Sequence, residues 1–186
     1  MGQLINKEIY TPHFKEHEAN VSHFYLDGPG YVTIGIGCRV WDVSYASKLG
    51  MYHKEINKLA SVDEITKEYH GVAALDPGRV EMFYAIRTNL YLPLNERMKL
   101  FEDRVQGFIS EINAKVCQLE AFPINAQLVM LDMMFNLGIG NLTSKFTKFL
   151  FYFMNRNWLL AAKESHRLKI AESRNKWAAT TLEALV

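Results

Sequence analysis

Residues 25–37 read YLDGPGYVTIGIG, and no other stretch of the chain restricts its folding as much. Four glycines and one proline stand among β-branched and aromatic residues. Asp27-Gly28-Pro29-Gly30 is turn chemistry, because glycine supplies φ > 0 and proline presets φ. Tyr31, Val32, Thr33, Ile34 and Ile36 are strand formers. The segment therefore predicts strand, tight turn, strand, running from about Phe24 to Val40 with a third short strand around Trp41. A phosphate cradle fails on context. No Lys-Ser or Lys-Thr follows these glycines, as a Walker loop requires, and no helix pattern opens there, as a dinucleotide loop requires. An ordinary structural hairpin stays open.

The rest of the chain reads mostly as helix. Thr11-Pro12 predicts a helix start, with Thr as N-cap and Pro at the first helical position. Phe14, His17, Glu18 and Val21 follow at helical spacing, and the helix should end near Ala19 or Asn20. Ser61 ahead of Asp63 and Glu64 predicts another N-terminus. Asp76-Pro77-Gly78 signals a loop. Residues 78–92 are ambiguous between helix and strand, and residues 93–119 form a long amphipathic pattern of one helix or two. Phe122-Pro123 opens a further helix, and Gly138 reads as its C-cap. Residues 142–157, 158–170 and 173–185 are three more. The class is α+β: a small N-terminal lobe over about 12–92, then a long helix and an all-α lobe over about 93–186, within one domain.

The 186 residues are 49% hydrophobic, enough for a sizeable core. The balance of 21 basic and 20 acidic residues gives no global field that would favour nucleic acid or a membrane surface. Cys38 and Cys117 stand in unrelated contexts and read as free thiols, with one disulfide still open. The first residues lack the apolar stretch of a secretory signal, and Asn6 stands where a myristoylation site needs Ser or Thr. The most apolar run, residues 146–162, is interrupted by Lys148, Asn155, Arg156 and Asn157, so it reads as a buried helix rather than a membrane span. The histidines are expected to hold no metal, and no cofactor is expected.

Glu18 at the end of the first helix, Asp27 in the turn and Thr33 on the second strand can fold toward one cleft. Two carboxylates facing a cleft are what glycoside hydrolysis requires. At this point the chain resembles the phage-type lysozymes, glycoside hydrolase family 24. Their motif is a Glu, eight residues, an Asp, five residues and a Thr, on a helix and a hairpin similar to GYVTIGIG. Glu18, Asp27 and Thr33 keep both spacings. Residues 94–105, 123–149, 157–167 and 173–177 also look like the family's long helix, its C-terminal lobe and its arginine-bearing last segment, where Arg174 is the match. Residues 42–89 align poorly and are longer than in small members. Lysozyme-like domains of interbacterial toxins often carry such an enlargement. One position departs: the family's His after GIG is Cys38, and its Asp partner on the long helix looks like Arg104.

The resemblance implies a muramidase that cuts the β-1,4 bond between N-acetylmuramic acid and N-acetylglucosamine with inversion. Glu18 is the expected general acid, favoured in its neutral form by a helix C-terminus. Asp27 is the expected base, and Thr33 orients the water. Tyr31, Asn136 and Arg174 are the candidate substrate contacts. Each residue alone has a plainer reading: solvated Glu, turn Asp, β-forming Thr, core Tyr, local cap, surface Arg. The expected partner is the peptidoglycan glycan strand, with an immunity protein as an open second; a monomer is expected. The enzyme would act in the periplasm of a target bacterium, reached through a holin or a secretion machine or as part of a larger protein, and endolysin and toxin effector both stay open. The competing reading is a non-catalytic peptidoglycan-binding or structural module on the same fold.

Overall fold

The structure, a computed structural model, describes residues 2–186. It is mixed α+β and falls into two compact units. One is Glu18–Arg104; the other joins the residues up to His17 with Val105–Val186. The division lies at Arg104 rather than near residue 92, and the first helix belongs with the C-terminal helices.

The Glu18–Arg104 unit is built on the hairpin. Strands β1 (Asn20–Leu26), β2 (Val32–Ile36) and β3 (Cys38–Arg39) form an antiparallel sheet in that order. The third strand thus stops short of Trp41. The register of β1 against β2 slips between Val21 and Tyr25, a bulge that adds residues to one strand only. There the Ser22 carbonyl accepts from the Leu92 N–H at 2.6 Å. Gly35 is required by its backbone and by a close neighbour. Its φ is +64°, and a Cβ there would meet the Arg97 side chain at 3.6 Å. Glycine serves the backbone here, not a phosphate.

Residues 42–89 supply much of this unit's core. They form α2 (Val43–Ala46), β4 (Tyr52–His53), α3 (Val62–Ala73) and α4 (Glu81–Ala85); β4 pairs with β5 (Leu90–Tyr91). Met51, Ile65, Val72 and Tyr84 pack with Phe24, Ile34 and Leu92 of the hairpin side. The ambiguous stretch 78–92 is a short helix and then a short strand. The start of α3 is as predicted: Ser61 and Glu64 form a reciprocal capping box. The two Ser61 hydrogen bonds, backbone first, hold the Glu64 carboxyl down to about 2.

The other unit is helical. It contains α1 (Lys7–His17), the second half of α5 (Leu94–Lys115), α6 (Ile124–Lys145), α7 (Thr147–Met154), α8 (Trp158–Lys163) and α9 (Glu172–Glu183). The first helix corrects the sequence reading. It starts at Lys7, so Thr11-Pro12 lies inside it. The Asn6 carbonyl accepts from the Ile9 and Tyr10 N–H groups, and Tyr10 and Phe14 are buried one turn apart. The Ile5 N–H is tied to the Gln127 side chain. Those tertiary ties outweigh the start signal, and the helix carries a proline in its second turn. Gly138 does break a helix, with φ 67° and ψ 161°, but α6 resumes after it to Lys145. Residues 142–157 are accordingly split between α6 and α7 at Phe146, which caps both.

Candidate active site

Asp27 is built into the turn it opens. Its Oδ1 accepts from the Tyr31 N–H at 2.7 Å, its N–H donates to the Tyr31 carbonyl at 3.1 Å, and its carbonyl accepts from Gly30. Gly30 has φ +93°, a conformation that closes the turn and suits glycine. The carboxylate is half-buried and held by backbone, with no ion pair among the described residues. Thr33 follows on β2 and is almost wholly buried. Its hydroxyl donates to the Tyr31 carbonyl at 3.0 Å. A hydroxyl has one donor and two acceptor lone pairs, so the bond fixes the rotor and leaves acceptor capacity. Asp27 and Thr33 are therefore set by the same residue, Tyr31, through its N–H and its carbonyl.

The row across the sheet explains what surrounds them. Thr33 on the central strand pairs with Tyr25 on β1 and with Arg39 on β3, and cross-strand partners share a face. Tyr25 was not singled out from sequence. Burial pushes its phenol well above the ordinary tyrosine range, and the Glu18 and then the Asp27 carboxylates push it further. Tyr25 thus stays a neutral hydroxyl that feels both carboxylates. Glu18 is half-buried and directly follows the last residue of α1. It also raises the Cys38 thiol. Burial is the main cause there, Arg104 opposes it, and the result is about 12. So Glu18, Tyr25, Asp27 and Cys38 feel one another's charge within the Glu18–Arg104 unit, and Thr33 lies across the strand pair from Tyr25.

No protein-family model matches the chain, and no curated protein matches it.

Cys38 is a packed residue: 1% exposed, unbridged, with its Sγ donating to the Ile36 carbonyl at 3.4 Å. Cys117 is likewise unbridged. Arg104 donates to the Arg39 carbonyl at 2.8 Å and lies over the Trp41 ring. Tyr31 is 44% exposed, and the Arg39 guanidinium lies 3.3 Å from its ring centroid. One face of Tyr31 is therefore covered by an arginine.

The other two candidate substrate contacts, Asn136 and Arg174, belong to the helical unit, where they join a network around Asp132. The Asp132 side chain has no exposed surface and meets His13 at 2.8 Å, Arg167 at 2.6 Å and Arg174 at 2.8 Å. Burial alone would raise this carboxyl. The His13 hydrogen bond and the two arginines outweigh it and hold Asp132 well below the usual carboxylate range. Arg167, itself 1% exposed, also bonds the Asn136 side chain. Much of the donor capacity of Arg174 is thus directed at Asp132 rather than at a ligand. An Asp amid VMLDMMF signals a buried, paired charge, and this signal was available in the sequence.

His13 and His17 stand one helical turn apart, the spacing of a helical metal pair. However, His13 is committed to Asp132, and among the described residues no three His, Cys, Asp or Glu side chains group as metal ligands. A cavity of about 610 Å³ lies in the Glu18–Arg104 unit, lined by His53, Lys54, Glu64, Glu68 and Arg87 among others. Its central charges are spent on the fold. The Lys54 ammonium donates to the Ala85 and Thr88 carbonyls and the Thr88 hydroxyl, and Glu68 accepts from Asn89 and Leu90. No helix is long and apolar enough to cross a membrane among the described residues.

Proposed function

We propose that the protein is a muramidase with a lysozyme-like fold, hydrolysing the β-1,4 bond between N-acetylmuramic acid and N-acetylglucosamine in peptidoglycan. The observation that carries the reading is the Tyr31 clamp: one residue's N–H orients the Asp27 carboxylate and its carbonyl orients the Thr33 hydroxyl, beside the Glu18 carboxyl that Tyr25 also feels. Glu18, protonated, gives its proton to the glycosidic oxygen as the bond from C1 breaks. A water attacks C1 from the opposite face. Asp27 takes one proton of that water, and a Thr33 lone pair accepts a hydrogen bond from the other. The products are an N-acetylmuramic acid reducing end of inverted configuration and an N-acetylglucosamine 4-hydroxyl. Tyr25, whose phenol is raised by burial and then by the Glu18 and Asp27 carboxylates, is kept in its neutral hydroxyl form near them. The substrate lies in the cell wall of a target bacterium, which the protein reaches by a secretion machine, a holin or a larger carrier chain.

Turbidity of chloroform-treated Gram-negative cells tests this reading. The protein should clear the suspension, and Glu18→Gln at matched melting temperature should fail to do so. Clearing by Glu18→Gln within about tenfold of wild type would remove Glu18 from the mechanism.

A further inference from the structure

The loop at residues 76–79 stands against the turn that holds Asp27. Gly30 is a corner of that turn, and a Cβ built on it would meet the Pro77 Cβ at 3.5 Å and its Cγ at 3.9 Å. These are ordinary contact distances, so about one methyl group of space separates the Pro77 ring from the turn. The loop is itself pinned from inside. The Tyr84 hydroxyl donates to the Asp76 carbonyl at 2.8 Å and accepts from the Arg79 N–H at 3.3 Å. Those are the two backbone groups that a four-residue turn ordinarily joins to each other, so a side chain sets how open the loop stays. Tyr84 is fully buried. Its ring centroid lies 6.4 Å from that of Tyr25, the cross-strand partner of Thr33. One core tyrosine thus links the loop facing Gly30 to the residue opposite Thr33.

Asp27 owes its orientation to the N–H of Tyr31, which directly follows Gly30. One planar peptide unit joins them, so a shift of Gly30 is passed on to that N–H. The turn carries Gly28 and Gly30, the residue type with the most backbone freedom to lose, and a carboxylate fixed on such a turn needs support from outside it. We infer that Pro77 and Tyr84 are positioning residues: the loop at 76–79 braces the Gly30 corner and so keeps the Tyr31 N–H on the Asp27 carboxylate. The enlarged stretch 42–89 thereby aims the base as well as filling the core. The inference rests on the muramidase reading for the role of Asp27, but the bracing itself is read without any substrate.

Hydrogen exchange followed by NMR reads the Tyr31 N–H directly. The Val40 N–H, bonded to the Val32 carbonyl at 2.7 Å, is the reference within the same unit. Tyr84→Phe keeps the ring and removes only the hydroxyl. Pro77→Gly, at an exposed position, removes the Cβ nearest Gly30, whereas Pro77→Ala keeps it. Tyr84→Phe and Pro77→Gly should speed Tyr31 exchange about tenfold and leave Val40 unchanged, and Pro77→Ala should stay near wild type. Turnover on excess sacculi should fall about tenfold in the same two variants with half-saturation unchanged, because a misplaced base slows the chemical step rather than binding. Unchanged Tyr31 exchange in either variant, or equal speeding at Tyr31 and Val40, overturns the inference. So does selective release of Tyr31 with turnover intact. If wild type frees no muropeptides yet Tyr31 is selectively released in both variants, the brace stands and the muramidase reading falls.

Discussion

Asp132 in the helical unit has no exposed surface and meets His13, Arg167 and Arg174. Asp27 in the sheet unit is half-buried and is held by a backbone N–H. Both are aspartates in fixed positions, but their surroundings assign them different work. Three cationic or donor side chains around one buried carboxylate consume its lone pairs and make it a keystone of packing. A single backbone bond leaves Asp27 oriented and its other oxygen available to a proton. The fold thus spends its strongest electrostatics on Asp132, and leaves the carboxylate to which the proposed mechanism gives the base role lightly tied.

The same Asp→Asn change in the two places should break that comparison open. Asp27→Asn should lower lytic activity by about three orders of magnitude, the range of a lost general base. It should move the melting temperature little, since an amide oxygen can still accept from Tyr31. A matching loss of stability would mean that Asp27 is a turn residue only.

Asp132→Asn should do the reverse. Removing one charge from a buried cluster leaves its partners uncompensated and costs about 3–5 kcal/mol. Chemical denaturation should show it as a lowered midpoint, while activity per folded molecule holds. Acid sharpens the contrast. Because the Asp132 carboxyl is depressed in the folded state, its contribution is complete above its unfolded value of about 4 and is lost as pH falls below that. Wild type should therefore lose stability in that window more steeply than Asp132→Asn. Parallel pH profiles would show that other carboxylates control acid unfolding.

The smallest effect belongs to Cys38. As a packed thiol pushed up to about 12, it should react slowly with alkylating agents, and Cys38→Ala should cost about 1 kcal/mol without changing activity per folded molecule. Fast alkylation with loss of lysis would place the thiol in contact with substrate.

What could be read in the sequence was what local chemistry dictates. The hairpin declared itself through Gly30, Pro29 and the β-branched residues after them, and α3 through Ser61 and Glu64. What could not be read was set by distant partners. Thr11-Pro12 looked like a helix start because the burial of Tyr10 and Phe14 and the tie of Ile5 to Gln127 are tertiary. Arg39 and Trp41 are unremarkable until β3 pairs with β2 and stacks the guanidinium on two rings. Tyr25 is an ordinary strand residue until the register sets it opposite Thr33. Glu18, Asp27 and Thr33 stand out in the sequence as candidates because their spacing matches a motif; the residues around them required the fold.

End-group analysis of digested peptidoglycan decides whether the protein is a muramidase. Purified sacculi are incubated with wild type, with Glu18→Gln and with Asp27→Asn, and the released fragments are reduced and weighed by mass spectrometry. Wild type should release muropeptides whose reduced sugar is N-acetylmuramitol, and both variants should release almost none. Fragments ending in reduced N-acetylglucosamine, or wild type that frees no more material than the two variants, would contradict the muramidase reading.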